Sequence, residues 1–296
     1  MIRPIQQDGV FLVDLDRAGE SAPESLHVWW LGQSGFLVQW GENRLLLDPY
    51  LSDSLTRKYA ATDKPHVRMT ERVVDPSRLS GITVVTASHA HTDHLDPETL
   101  VPLVASNPGL RLVFPEAIRG LAAIRSGLPP ESLIGLDAPS PGRTVGPGSI
   151  SEVTVGPVRI RAVPAAHETL DCDPQGRLSC LGFIIRVGSW TLYHSGDTVL
   201  FPGLTDSLRE ERVDLAFLPI NGRSPERRVA GNLWGHEAAT LAHQAGVGIV
   251  APCHYELFEF NTASPAEFEA RCQALRQPYQ RLQAGGRLTL EPRSRP

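Results

Sequence analysis

The chain has 296 residues, 41% of them hydrophobic and 21% charged, the make-up of a globular protein long enough to bury a large core. Its formal charge of −5 comes without any face-sized run of Lys or Arg, so there is no electrostatic case for a nucleic-acid partner. The opening "MIRPIQQDGVFLVDLDRAGE" lacks a basic start followed by an apolar signal core, and no apolar run reaches the roughly 18 residues that span a bilayer, so the expectation is a cytoplasmic protein without an integral membrane segment.

In chain order, "LHVWWLGQSGFLVQWGENRLLLDPYLSDS" predicts three strands, 26–31, 35–40 and 44–48, separated by glycine-containing turns. "GITVVTASH" predicts a fourth over 81–89. "DPETLVPLVAS" follows as a helix, with Asp96 as N-cap and Pro97 at the first helical position, where no N–H is needed. Residues 111–127 predict a strand and a helix, whereas 128–150, rich in Pro, Gly and Ser, predict a loop with one short strand. A strand then ends at His167 in "VRIRAVPAAH", and "LGFIIRVGSWTLYHSGDT" predicts a hairpin that ends in an aspartate. A strand over 213–221, a helix over 235–245, a strand over 247–254, a helix over 265–276 and a last strand in "GRLTLEP" complete the chain.

The runs "FLVQWGENRLLLD" (36–48) and "FIIRVGSWTLYHSGD" (183–197) both pass from Phe through aliphatic residues to a Gly turn, then along a second strand to an aspartate. A duplicated hairpin unit is expected, each copy supplying one sheet of a single domain over 1–296. Two sheets packed face to face with helices outside is the α/β arrangement that follows.

Residues 88–96 read "SHAHTDHLD", on the loop between strand 81–89 and the helix. A histidine pair at i and i+2, His89 and His91, can point two imidazoles to one side of extended chain. Asp93 and His94 can then face a second point nearby, an arrangement that suits two metals better than one. His167, Asp197 and His254 each stand at the C-terminal end of a predicted strand, where a shared site could use them. Cys172, Cys180, Cys253 and Cys272 form no C-x-x-C pair, so neither a thiolate zinc knuckle nor a dithiol redox site is signalled.

In this order, H-A-H-T-D-H, a strand-end His, G-D-T and a late strand-end His resemble the metallo-β-lactamase superfamily of metallohydrolases, from "WWLGQSGFLV" to His254. The resemblance implies a four-layer αββα sandwich of two similar αβ halves, with the site along one edge of the sheets. It implies that His89, His91 and His167 hold one divalent ion, that Asp93, His94 and His254 hold a second, and that Asp197 bridges them. Asp48 in "LLLDP" is implied to support the ligands rather than coordinate. His194 in "YHSGDT" is expected to be structural or supporting, since seven residues already fill both sites. Imidazole and carboxylate donors without thiolate are compatible with Zn²⁺, Mn²⁺ or Fe²⁺.

Two such ions can share a water and hold it as hydroxide for attack on a carbonyl or phosphoryl centre, so hydrolysis is the expected reaction. Asp93 and His254 are the side chains expected at the reacting centre, with Asp93 or water carrying a proton to the leaving oxygen. Oxygen reduction at a di-iron site is disfavoured, because resembling patterns replace a motif histidine that this chain keeps. Within the superfamily, "WLGQSGFLV", "LPINGR…GNLWGHEAATLA" and "CHYELFEFNTASPAEF", with Phe258 and Asn261, resemble the L-ascorbate-6-phosphate lactonase branch. That branch implies a small, polar, sometimes phosphorylated sugar-acid lactone as substrate, Mn²⁺ beside Zn²⁺ as metal, and a homo-oligomer. Arg223, with Asn221 in "NGR", is the first choice for binding an anion, ahead of Arg57 and Arg68 in the 52–72 loop. His236 is a lesser candidate for the cleft, and His27, His66 and His243 carry no signal. Phosphodiester hydrolysis and a non-catalytic metal-binding protein are the alternative readings.

Overall fold

Short runs of aliphatic and aromatic residues between glycine turns become strands buried on both faces. The structure, a computed structural model, describes residues 1–140, 143–145 and 148–292. Residues 141–142 and 146–147 of the Pro- and Gly-rich stretch, and 293–296 at the end of the expected domain, lie outside the described residues. The first half forms β1 (Leu26–Gly32), β2 (Gly35–Trp40), β3 (Asn43–Leu47), β4 (Ile82–Thr86), β5 (Arg111–Pro115) and β6 (Leu133–Leu136). The second forms β7 (Glu152–Val155), β8 (Val158–Pro164), β9 (Leu181–Val187), β10 (Trp190–His194), β11 (Leu215–Pro219) and β12 (Ile249–Cys253), and β13 (Arg287–Leu290) closes the chain. The helices are α1 (Asp8–Ser21), α2 (Ser54–Tyr59), α3 (Pro97–Ser106), α4 (Arg119–Ser126), α5 (Leu204–Glu211), α6 (Gly235–Ala245) and α7 (Ala266–Leu275).

One sheet runs β13-β1-β2-β3-β4-β5-β6 and the other β7-β8-β9-β10-β11-β12. From β13 to β5 and from β7 to β12 the neighbours pair in the same succession, three antiparallel contacts and then two parallel ones. The β2–β3 and β9–β10 hairpins occupy equivalent places, so the likeness between 36–48 and 183–197 is a likeness of topology as well as of sequence. Helices α3 and α4 pack together with α4 against β5 and β6, while α5 and α7 flank α6, which lies on β11 and β12. This is the αββα sandwich expected from the sequence.

One hydrophobic core runs through both sheets. Phe36 of β2 meets Phe217 of β11 with ring centroids 4.1 Å apart, and Trp30 of β1 stacks on Tyr255, just past β12, at 4.4 Å. His194 joins the same seam edge-on to Phe36 at 6.2 Å.

The structure differs from the sequence expectation in two ways. Helix α1 lies outside the elements expected from the sequence, although Phe11, Leu15 and Ala18 carry the i, i+4, i+7 spacing of one buried face, and Phe11 packs edge-on to Trp29 of β1. Strands expected over 81–89, 213–221 and 247–254 leave their ladders at Thr86, Pro219 and Cys253. Their last residues have turned out of the sheet. Among the described residues no helix is long and apolar enough to cross a membrane.

Because the Phe36–Phe217 contact joins fully buried rings from opposite sheets, Phe217→Ala is expected to cost about 3–5 kcal/mol in denaturant unfolding. A loss within experimental error would show that the sheets do not depend on this seam.

Candidate metal centre

After Thr86 the chain leaves β4 and turns through Ala87–Asp96 into α3, whose N-terminus is capped by Asp96 accepting from the Glu98 N–H. His94 N–H and Leu95 N–H both donate to the His91 carbonyl, and the Arg125 guanidinium donates to the carbonyls of Ala90 at 2.7 Å and Leu95 at 3.1 Å. The loop is thereby locked at both ends. His91, Asp93 and His94 are held on it, with His89 at its entry. His167 follows β8, Asp197 follows β10 and His254 follows β12.

All seven side chains converge. His91 Nδ1 lies 2.9 Å from His89 Nε2 and 3.2 Å from His167 Nε2. His94 Nε2 is 3.3 Å from Asp197 Oδ1 and 3.8 Å from Asp93 Oδ2. His254 Nε2 is 3.4 Å from Asp197 Oδ2 and 3.7 Å from Asp93 Oδ2. The groups His89–His91–His167, His89–His94–Asp197 and Asp93–His94–His254 each bring three donor atoms within 4.8 Å of one another. Asp197 Oδ2 also comes within 3.7 Å of His167 Nε2, so the aspartate stands between the two trios.

The donor chemistry fits a divalent ion. Ligands set tetrahedrally about 2.0–2.1 Å from Zn²⁺ stand ~3.3 Å apart, close to the separations found. His167 Nδ1 donates to the Gly231 carbonyl at 3.0 Å and His94 Nδ1 to Asp48 at 2.7 Å, which leaves the Nε2 lone pair of each ring directed into the cluster. His94 Nε2 and Asp197 Oδ1 are buried and have no hydrogen-bond partner despite their 3.3 Å separation. A lone pair facing a carboxylate oxygen needs a second proton on the ring or a cation between them. Burial drives His89 well below the ordinary imidazole value, and His94 and His167 push it the same way, leaving a neutral donor. Burial also disfavours a charged His94, but the carboxylates of Asp197 and Asp93 outweigh it and hold the ring well above its ordinary value. Burial opposes ionisation of Asp197 and is overcome by His94 and His254, so its carboxyl lies well below the usual range.

The surrounding backbone is organised around Asp48. Its carboxylate accepts from Thr86 Oγ1 at 2.9 Å, from the Ser88 N–H at 3.1 Å, from Ser88 Oγ and from His94. Ser88 Oγ also lies 3.0 Å from His89 Nδ1, so one buried aspartate orients donors in both trios. Asp48, Gln33 and His254 all have positive φ, 41°, 51° and 62°, strain of the kind held in place at functional sites. Gly196, at φ +59°, passes so close to Ser88 that a Cβ would stand 2.4 Å from the Ser88 Cβ. His194 touches no donor of the cluster. It donates to the Ser34 carbonyl at 2.8 Å and accepts from the Gly196 N–H at 3.3 Å, tying the exit of β10 to the β1–β2 turn.

The family described as "Beta-lactamase superfamily domain" matches the chain over residues 43–255, from β3 to just beyond His254. The chain belongs to that family. A UPF0173 metal-dependent hydrolase of Pyrococcus furiosus is 26% identical over 245 residues, 82% of this chain and 90% of that protein. Igni18, a metallo hydrolase from Ignicoccus hospitalis, shares the fold at a TM-score of 0.64 and 20% identity, over 91% of this chain and all of that one (100%). CmlA, a diiron beta-hydroxylase from Streptomyces venezuelae, also shares it at a TM-score of 0.65 and 16% identity, over 91% of this chain and 54% of that one. The beta-lactamase superfamily fold thus accommodates more than one chemistry, and the site must decide the reaction.

The cluster opens on a cavity of about 220 Å³, with His91, Asp93, His167, Asp197 and His254 on its floor and Leu55, Tyr59, His66, Phe258 and Phe260 among its walls. The arginines expected to bind an anion are engaged elsewhere. Arg223 forks onto Glu237 with two 2.7 Å bonds, because Glu237 also caps α6 by accepting from the Trp234 N–H. Arg57 pairs with Glu98 at the surface. Arg68 pairs with Asp53 and donates to the Ser52 and Thr70 carbonyls, which braces the loop from behind. Asn221 is fully buried between Asn232 and Asn261, and it is Asn261 that reaches the cavity. His236 pairs with Glu267 on the exposed side of α6. The cations on the cavity are Lys58 and Arg125.

Sequence reasoning missed Gln33. Its Nε2 lies 2.7 Å from Asp93 Oδ2 and 3.0 Å from His254 Nε2, while its backbone carbonyl accepts from the His254 N–H at 2.9 Å. A polar residue between the two glycines of "LGQSG" was the available signal.

Asp48→Asn should weaken divalent-metal affinity about 10–100-fold, because the His94 Nδ1–H loses its carboxylate acceptor. Competition against a chromophoric chelator measures this, and unchanged affinity would remove Asp48 from the account.

Proposed function

We propose that the chain is a hydrolase that uses two divalent ions, Zn²⁺ or Mn²⁺, to cleave a carboxylic ester or lactone in a small molecule. The observation that carries this reading is the convergence of four carboxylate and imidazole side chains from one loop with three from separate strand ends, their donor atoms spaced as ligands and two of them buried without partners. His89, His91 and His167 would hold one ion, Asp93, His94 and His254 the other, with Asp197 facing both. Bound there, divalent ions make water nucleophilic at neutral pH and polarise the oxygen of the bond under attack.

The chain's own residues do the rest. Asp48 and the Gly231 carbonyl fix the tautomers of His94 and His167, so these two donors are oriented before substrate arrives. Tyr59, Phe258 and Phe260 exclude water from one side of the cavity and offer apolar contact to the substrate. That wall, and the commitment of Arg57, Arg68 and Arg223 to carboxylates, favour an ester or lactone with an apolar part over a phosphorylated sugar acid. The relatives named as metal-dependent hydrolases support the reaction class, and all the histidines of the pattern being kept supports hydrolysis over di-iron oxidation.

EDTA treatment should abolish turnover on a panel of esters and lactones, and Zn²⁺ or Mn²⁺ added back should restore it, with bis(p-nitrophenyl) phosphate turned over more slowly in the same assay. His91→Ala should lose both metal stoichiometry and hydrolysis. Full activity in metal-free protein would refute the reading, and phosphodiester turnover exceeding that of every ester and lactone would move the substrate to phosphorus.

A further inference from the structure

One imidazole on the cavity belongs neither to the cluster nor to its supports. His66 lies in the loop that follows Asp48, is 9% exposed, and lines the same cavity as His91, Asp93 and Asp197. Its ring is clamped. Tyr59 stacks on it with centroids 4.2 Å apart and planes 16° apart, and Phe260 and Phe258 meet it edge to face at 4.4 and 5.3 Å. Nδ1 donates to the Lys64 carbonyl at 3.2 Å, which in a neutral ring places the lone pair on Nε2. Nε2 has no hydrogen-bond partner among the described residues and, unlike Nε2 of His94, is not sealed away from solvent. The charges around the ring are Asp93 across the cavity and Lys58 and Lys64 beside it; burial, the largest influence, keeps it neutral at rest.

A rigid imidazole, fixed in one tautomer, with an open Nε2 on the wall of the cavity that holds the cluster has the chemistry of a general base and acid. Asp93, the proton carrier expected from the sequence, already has Oδ2 engaged by Gln33 and faces two histidines of the cluster. We propose that His66 is the residue that moves the proton in the hydrolysis assigned above, an inference that rests on that assignment. Nε2 accepts the proton that water loses as its oxygen bonds to the acyl carbon, and returns it to the leaving alkoxide as the acyl C–O bond breaks. Ester and water become acid and alcohol, and the imidazole ends as it began.

The test is His66→Phe, which keeps a ring in the stack, beside His66→Gln, each assayed in the metal-loaded full chain on an alkyl ester and a p-nitrophenyl ester of the same acid. Nitrophenolate leaves without a proton, and an alkoxide does not. Both esters should lose kcat, because the base step is common to them, and the alkyl ester should lose about tenfold or more beyond the nitrophenyl ester, because only its leaving group needs the returned proton. Metal content and unfolding midpoint should not change in at least one variant. Nitrogen-15 NMR of the resting wild-type protein should show His66 protonated on Nδ1. Equal losses on both esters, no loss on either, or a resting proton on Nε2 would overturn the proposal. A wild-type chain that loads metal but cleaves nothing in the panel would instead overturn the hydrolase assignment, and this proposal with it.

Discussion

The structure depends on the burial of like-minded donors in one small space. Asp48, Asp93 and Asp197 lie with His89, His91, His94, His167 and His254 behind a single cavity, most of them nearly inaccessible to water. Carboxylates and imidazole lone pairs 2.9–3.8 Å apart repel one another in a low-dielectric interior unless positive charge lies among them. A protonated His94 between Asp48 and Asp197 can supply one charge. Divalent ions would supply more, and would satisfy the unpaired His94 Nε2 and Asp197 Oδ1. The surrounding fold, with its strained Asp48, Gln33 and His254 and its close pass of Gly196 against Ser88, holds donors where isolated side chains would not stay.

The duplicated topology explains how so many donors reach one edge. Equivalent hairpins end in Asp48 and Asp197, but the two aspartates have diverged in duty. Asp48 accepts hydrogen bonds from Thr86, Ser88 and His94 and braces the loop, whereas Asp197 stands 3.3–3.7 Å from three imidazole nitrogens. Strands β4 and β12, each parallel to its neighbours within its own sheet, then lead at their C-terminal ends into the His89–His94 loop from one half and His254 from the other. The donors thus gather from both sheets rather than from either alone.

Much of this was legible in the sequence because it rests on local signals. The alternating strands, the Asp96–Pro97 helix start and the H-x-H-x-D-H loop are encoded within a few residues of one another, and the later strand-end His167, Asp197 and His254 are marked by the strands they terminate. What stayed hidden depends on partners distant in sequence. Arg223 looks like a free guanidinium until α6 brings Glu237 beside it. His66 looks idle until Tyr59 and Phe260 close around it, and Gln33 looks like a turn residue until His254 arrives 221 positions later. Helix α1 carried its spacing openly, yet its purpose, to cover Trp29, appears only with the sheet in place.

The central claim concerns what fills the space between these donors. Anomalous diffraction from crystals of metal-loaded protein, collected on either side of the Zn or Mn absorption edge, tests it most directly. Two anomalous peaks are predicted, one among His89, His91 and His167 and the other among Asp93, His94 and His254, with Asp197 facing both. A single peak, or none at this cluster, would contradict the account.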